Sequence, residues 1–421
     1  MIYFFRFMDV VIITIGDELL IGQVVDTNSA WMGKILNDSG FNVVYKVATG
    51  DIERDIISAI DAAKGKAPIT LLTGGLGPTK DDITLRTLCK YYGCQLHFSE
   101  EVYQNIERIF RKSGRAMNEL TRNQAIVPDR CLVIQNQAGT APCTWFESDN
   151  HILISMPGVP SEMKWLMSNE ILPRLKKRFR QDLYVRHQTF WVSAYSESAL
   201  AIRLSDFENN LPSFVKLAYL PQLGIMRLRL SAYTQHEKEA EEAIDRLKKQ
   251  LEEILDGYIL SEEDKSPEVL AGEKLRSMGQ TIGTAESCTG GSVAALLTSV
   301  AGSSDYYVGS IVAYDNAIKQ KILGVSENDL RQYGAVSQQV VEQMAKSALR
   351  VLGCDWAIAT SGIAGPGGGT PEKPTGTIWI AIANKNETFS KQYGFNTTRE
   401  QNIQRTVNMA LMHLIQLMNN E

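Results

Sequence analysis

Short apolar runs, rich in β-branched residues and each broken off by glycine or proline before an amphipathic stretch, limit what this chain can fold into more than any other feature. VVIITIG (10–16), FNVVYKVAT (41–49) and APITLLTGG (67–75) have the length and composition of buried strands. Between them, TNSAWMGKILNDSG has helical periodicity with Thr27 or Asn28 placed to cap it, and DIERDIISAIDAAKG is a second helix opened by Asp51. This βαβαβ rhythm predicts a parallel sheet covered by helices. HILISMPGVP (151–160) adds a further buried strand, and Pro173 with the basic run LKKRFR closes a first domain at residues 8–173.

Residues 184–256 read as a small α+β module: the strand HQTFWVSAY, the helix SESALAIRLSDFENNL, the strands VKLAYLP and GIMRLRLSAY, and a charged helix, HEKEAEEAIDRLKKQLEEIL, read as a solvated face. After the linker SEEDKSPE, residues 262–421 return to an α/β pattern. QTIGTAES, YYVGSIVAYDN and DWAIATSG are strands separated by helices, TGTIWIAIAN and ETFSKQYGF form a hairpin, and a long helix ends the chain.

A length of 421 residues suits two or three domains, and 44% hydrophobic with 22% charged residues suits a core-forming protein. The net charge of −5 gives no basic footprint, so no nucleic-acid partner is expected. Six cysteines with no CxxC pair point to reduced thiols in the cytoplasm, against a disulfide framework or zinc site. Arg6 and Asp9 interrupt the apolar start, which reads as a first strand with Met8 as the true start, not as a signal peptide. No window reaches the ~20 apolar residues of a membrane span.

Chemistry-bearing residues concentrate where strands hand over to helices. In TAESCTGG (284–291) such a turn aims N–H groups and a helix dipole at one spot, and donors near Thr289, Gly290 and Gly291 could hold an oxyanion beside a nucleophile. That nucleophile is Ser287 or Cys288; residue chemistry alone does not choose. Among the five histidines only His413 lies in this domain, on an amphipathic helix, so a His-based triad is poorly supported and a lysine base stays open. Lys319 opens the helix after a strand, and burial would have to bring its pKa down for it to act as one. SGIAGPGGG (361–369) offers an N–H nest for phosphate but matches neither Walker A nor GxGxxG.

The first domain has its own set. GDELLIGQVVDTNSAWM supplies Asp17, Glu18, Asp26 and Asn28; TGGLGPTKDDIT supplies Gly74, Gly75, Gly77, Asp81 and Asp82; PGVPSEM supplies Glu162. Glycine N–H groups suit a pyrophosphate and the carboxylates a hard divalent cation, which together suggest metal-assisted cleavage of a phosphoanhydride. The plainer reading of Asp17 and Asp82 is helix capping.

AESCTGG, AGSS (301–304), VAYDNAIK (312–319), GAVS (334–337), SGIAGPGGG and KPTGTIWIA (373–381) occur in this order and resemble the C-terminal domain of the CinA family. The resemblance implies a nicotinamide mononucleotide deamidase with Ser287 as nucleophile and Lys319 as base. Tyr314 supports the pair, and Asn316, Ser361, Gly362 and Arg399 lie on the substrate side; no cofactor is implied for this reaction. The first domain, with NEL…RNQAIVP (118–128) and GTAP (139–142), resembles the CinA N-terminal domain. That implies a molybdopterin-binding-like fold and Mg-type, metal-dependent ADP-ribose hydrolysis. Gly74, Gly75, Gly77 and Asn28 would meet substrate, and Asp81, Asp82, Glu18 and Glu162 the metal. Asn123, where the family pattern has lysine, and Cys143, where it has glycine, depart from it. The middle module resembles the family's KH-like domain without a GxxG loop and reads as a spacer or a homodimer element. A molybdopterin-handling protein and a partner of DNA uptake are the rival expectations.

Overall fold

The computed structural model describes residues 8–77, 79, 82–114, 116–148, 150–179, 184–193 and 195–420. It divides into two compact units: the chain up to Arg186 together with Ala232–Glu242, and His187–Ser231 together with the chain from Ala243 onward.

Among the described residues, the first unit holds the strands β1 (Met8–Ile15), β2 (Phe41–Thr49), β3 (Ile69–Thr73), β4 (Leu96–Phe98), β5 (Ile126–Pro128), β6 (Leu132–Ile134), β7 (Cys143–Ser148) and β8 (His151–Met156). Six of them form one sheet in the order β2-β1-β3-β8-β7-β6, parallel from β2 to β8 and antiparallel beyond. Successive residues of β1 face opposite ways. Val10 and Ile12 pack with Met32 and Leu36 of the helix Thr27–Asn37, whereas Val11, Ile13 and Ile15 pack with Ile56 and Ile60 of Glu53–Lys64. A strand covered on both faces needs apolar residues throughout, which explains its unbroken hydrophobic run. Each such side chain contributes roughly 1.5–3 kcal/mol by burial.

The capping expectations need correction. Thr27–Asn37 is capped by Asp26, whose carboxylate accepts from Ser29 N–H at 2.9 Å, and not by Thr27 or Asn28. Asp51 does not cap Glu53–Lys64, which follows Ile52 without a side-chain cap.

The middle strands β9 (Tyr184–Val192), β10 (Val215–Gln222), β11 (Ile225–Thr234) and β12 (Ile259–Ser261) form a sheet ordered β10-β11-β9-β12. The charged helix Glu237–Ile254 is not merely solvated, since Ala240, Ile244, Leu247 and Leu251 are buried along one side.

The C-terminal sheet runs β14-β13-β15-β16-β17, from β13 (Ile282–Glu286), β14 (Tyr307–Val312), β15 (Trp356–Gly362), β16 (Thr377–Ala383) and β17 (Thr388–Gly394). β13, β14 and β15 are parallel, and β16 and β17 return antiparallel. Trp356 and Ile358 of β15 face the long helix Arg399–Asn419 with Val407 and Leu411. Ala357 and Ala359 face Val341, Met344 and Ala345 of Gln338–Leu352. The α/β architecture expected from the sequence is the one observed. Among the described residues no helix is long and apolar enough to cross a membrane.

Each unit carries a buried histidine. His151 bonds the Thr70 hydroxyl at 2.9 Å, His413 pairs with the Tyr393 hydroxyl, and burial lowers the pKa of each to about 4. As pH falls from the ordinary value near 6.5 towards 4, the unfolded chain takes up protons that the native state refuses. Stability should therefore drop across this window by roughly 3 kcal/mol per histidine. Urea unfolding of the full chain checks this: His151→Gln and His413→Gln should each flatten the acid slope, and an unchanged slope in both would exclude them as its source.

Candidate active site

The register of the C-terminal sheet sets Glu286 beside Val312 on one side and Thr360 on the other. The segments that follow β13 and β14 and the end of β15 therefore open at the same end of three parallel strands, where α/β sheets hold ligands. Ser287, Lys319 and Ser361 come from these three places.

Ser287 leaves β13 with its N–H donating to the Thr360 carbonyl at 3.0 Å and retains 9% exposure. Cys288 turns the other way, into the apolar core with Val293, Leu297 and Trp356. Burial pushes its thiol up to about 12, despite a hydrogen bond with Thr360 and the nearby Lys319 charge. It is a neutral, weakly nucleophilic thiol near neutral pH.

Lys319 lies in the helix Asn316–Lys321, whose first turn is fixed by Asp315 accepting from Ala317 N–H at 2.8 Å. Its side chain folds back to 1% exposure, and Nζ donates to the carbonyls of Ala313 (2.7 Å) and Tyr314 (2.9 Å). Burial holds its pKa below the ordinary lysine value, against opposing pulls from Asp315 and Cys288. A neutral amine has two N–H bonds and one lone pair, so two carbonyls leave that lone pair unspent.

Tyr314 meets Lys319 only through its carbonyl; its hydroxyl accepts from Arg399 Nη2 at 3.3 Å. Arg399 also donates to the Gly365 carbonyl at 2.9 Å, which ties the exposed Tyr314 ring to the SGIAGPGGG loop. Ser361 is buried and donates to Ala335 at 2.7 Å, Gly362 ends β15, and Asn316 stands exposed at the start of its helix. Buried Asn402 braces the same loop through Nδ2 to the Ala364 carbonyl at 3.0 Å, with no sequence signal beyond its place in the first turns of the last helix.

The largest departure from expectation is at the helix Ser292–Thr298. Its N-terminal donors do not face an open spot: the fully buried Glu286 carboxylate occupies it. Glu286 accepts from the N–H groups of Gly291 (2.9 Å), Val293 (3.0 Å) and Ala294 (2.8 Å) and from the hydroxyls of Thr284 (3.1 Å) and Thr289 (2.7 Å). Gly290 N–H donates to the Ser287 carbonyl at 3.1 Å. Gly290 and Gly291 are thus committed and do not serve as oxyanion donors. The signal for Glu286 was its place at a strand end just before a helix, where a carboxylate finds orphan N–H groups.

The first unit corrects the other set of expectations. Gly74 N–H donates to the Met156 carbonyl (3.1 Å) and Gly77 N–H to Asp82 (2.7 Å), so two of the three glycines are not part of a phosphate nest. Gly74 is required by packing, since a Cβ there would lie 2.1 Å from the Ile15 carbonyl oxygen at a φ of +114°. Gly75, at a φ of +65°, accepts through its carbonyl from Thr84 N–H. Asp82 is no helix cap; it closes its own turn by accepting from Gly77 and from both Thr79 donors. Glu162 accepts from Asn136 at 2.6 Å, and burial raises its pKa. Asn28 bonds the Gly158 carbonyl at 2.7 Å and leaves a buried, unpartnered Oδ1 that a ligand could use. Asp51, taken for a cap, instead exchanges N–H to carboxylate bonds with Asp17. Burial raises its pKa, as do the charges of Asp17, Glu18 and Asp82. Asp81 lies outside the described residues. Among those described, Glu18, Asp82 and Glu162 do not by themselves gather as a metal ligand set.

Comparison with known proteins agrees with this architecture. Residues 264–418 match the CinA C-terminal domain, 11–177 a probable molybdopterin binding domain, and 187–260 the damage-inducible protein CinA KH domain. CinA-like proteins of Flavobacterium psychrophilum and Cytophaga hutchinsonii are each 41% identical, over 406 and 408 residues. These spans are 96% of this chain in both cases and 97% and 96% of the relatives. A solved competence/damage-inducible protein of Agrobacterium tumefaciens is 38% identical, covering 38% of this chain and 99% of its own at a TM-score of 0.36.

Replacing Glu286 by Gln would set an amide N–H₂ against backbone N–H donors. The expected cost is on the order of 2–3 kcal/mol in unfolding free energy, measured by urea denaturation. A loss below about 0.5 kcal/mol, the scale of an ordinary surface change, would show that the carboxylate does not organise this turn. By its sequence over nearly its whole length, and by the order of its three domain matches, the chain belongs to the CinA family.

Proposed function

We propose that the C-terminal unit hydrolyses the carboxamide of nicotinamide mononucleotide through a Ser287–Lys319 pair, releasing ammonia and nicotinate mononucleotide. The observation that carries this reading is the buried, carbonyl-bonded amine of Lys319 at the sheet end where Ser287 emerges. In the reaction, Lys319 Nζ takes the Ser287 proton as Oγ attacks the carboxamide carbon. The tetrahedral intermediate collapses with cleavage of the C–N bond, and Nζ returns the proton to the departing ammonia. Water then attacks the acyl ester with Lys319 again as base, and Ser287 regains its proton. Of the three N–H groups first considered for the oxyanion, Thr289 is the one without a described internal bond, and it takes that role. Arg399 and the glycine loop it braces would receive the phosphate.

For the first unit the corresponding proposal is ADP-ribose hydrolysis near the Gly74–Gly77 turn, supported by the orphaned Asn28 Oδ1. Ammonia release from nicotinamide mononucleotide should survive EDTA, whereas AMP release from ADP-ribose should need added Mg²⁺; AMP release in EDTA would remove the metal from the proposal.

Ser287→Ala should lower ammonia release by order 10³-fold or more, while Cys288→Ser keeps most activity. A dead Cys288→Ser beside an active Ser287→Ala would reverse the assignment. Lys319→Arg should be nearly as damaging as Lys319→Ala, because a guanidinium stays protonated. In the unmutated protein the rate should rise with pH and level off below the ordinary lysine pKa, the direction burial gives. A rate indifferent to pH through this range would argue against a lysine base.

A further inference from the structure

Three cysteines that look unrelated in the sequence lie together in the first unit. The helix Thr84–Tyr92 ends on left-handed Gly93, and Cys94 N–H donates back to the Cys89 carbonyl at 2.9 Å. This is the geometry of a glycine-terminated helix end, which brings the side chains on either side of the glycine into contact. Here both of these side chains are thiols. The third arrives through the β4–β5 pairing. Leu96 lies opposite Pro128, Gln95 N–H donates to the Asp129 carboxylate and Asp129 N–H to the Gln95 carbonyl, both at 2.9 Å. Cys94 and Cys131 therefore flank one pair of hydrogen bonds. Both are half-buried against the core that holds Leu88 and Phe146, and Cys131 donates to the Pro128 carbonyl at 3.5 Å.

These sulfurs do not make a metal ligand set among the described residues, so their shared chemistry is with one another. We propose that this cluster is an oxidation site, in which a hydroperoxide converts the thiols of Cys89 and Cys94, paired by the glycine-terminated helix end, into a disulfide across the end of the helix Thr84–Tyr92. Half-buried Cys94 is the sulfur a small oxidant reaches first, while Cys89 is buried. The Cys94 thiolate attacks one peroxide oxygen, the O–O bond breaks, and sulfenic acid and water result. The Cys89 sulfur then displaces the sulfenic oxygen, the S–S bond forms and a second water leaves. Two thiols lose two electrons and two protons, and one hydrogen peroxide becomes two waters. Burial pushes the thiols of Cys89 and Cys131 up to about 12, so neither is the initiating thiolate near neutral pH.

The test treats the folded full-length protein with hydrogen peroxide, blocks remaining thiols, and maps the products by peptide mass spectrometry with and without a reductant. The expected product is an intrachain Cys89–Cys94 disulfide that dithiothreitol reverses, with Cys143, Cys288 and Cys354 still alkylatable once the chain is unfolded. Cys94→Ser should abolish it, and Cys131→Ser should leave it in place. Cys94→Ala serves as a second variant, with circular dichroism to verify folding. A dominant Cys94–Cys131 link, mainly intermolecular disulfides, over-oxidation without any S–S bond, or an unaltered product map in both Cys94 variants would each overturn the proposal.

Discussion

Glu286 holds together the part of the molecule on which the proposed chemistry rests. Burying a carboxylate without a cation is costly, and here the cost is met by five hydrogen-bond donors supplied by one short stretch and the strand leading into it. Because those donors are the first N–H groups of the helix Ser292–Thr298 and two threonine hydroxyls, the carboxylate fixes where β13 stops and how the chain leaves it. Ser287 and Cys288 are the next two residues: Ser287 keeps 9% exposure where the strand ends, and Cys288 is buried in the core. The anion-attracting end of this helix is filled from within, so it is not where the phosphate of the proposed substrate would bind.

Lys319 answers the same burial problem from the other sign. Its partners are the carbonyls of Ala313 and Tyr314, which orient the amine without stabilising its charge as fully as a carboxylate would. Tyr314 serves two groups at once, its carbonyl holding Lys319 and its hydroxyl meeting Arg399. The end of β14, the glycine loop and the start of the last helix are thus linked across the same edge of the sheet.

Much of the fold was legible because burial on both faces leaves a plain trace: the unbroken runs of β1 and β3, and the alternation of bulky and small residues along β15. What escaped depended on partners remote in sequence. Asp26 outcompetes Thr27 as a cap because it immediately precedes the first turn, whereas Asp51 stands one residue too early, with Ile52 at the cap position, and pairs instead with Asp17. The antiparallel strands β6 and β7 and the short β4–β5 pair left too little pattern to read. Glycines that suggested a phosphate nest proved to be needed for close packing against Ile15 or for a turn closed by Asp82. At the C-terminal site Ser287, Lys319 and Ser361 come to one end of three parallel strands; Glu286 left only its place at a strand end before a helix as a signal, and Asn402, which holds the loop in place, could not be told from an ordinary polar position.

The β16–β17 hairpin has a practical side. Its turn, Asn384–Glu387, is closed by Asn384 accepting from the N–H groups of Asn386 and Glu387, and residues 385–387 are exposed. Antiparallel pairing puts this turn beside Ala357, at the start of β15, whereas Ser361 sits near the opposite end. Strands of this length separate the two by about 15–20 Å. A fluorophore, an affinity tag or a surface tether placed there would report on or immobilise the protein while leaving the reactive edge open to small molecules.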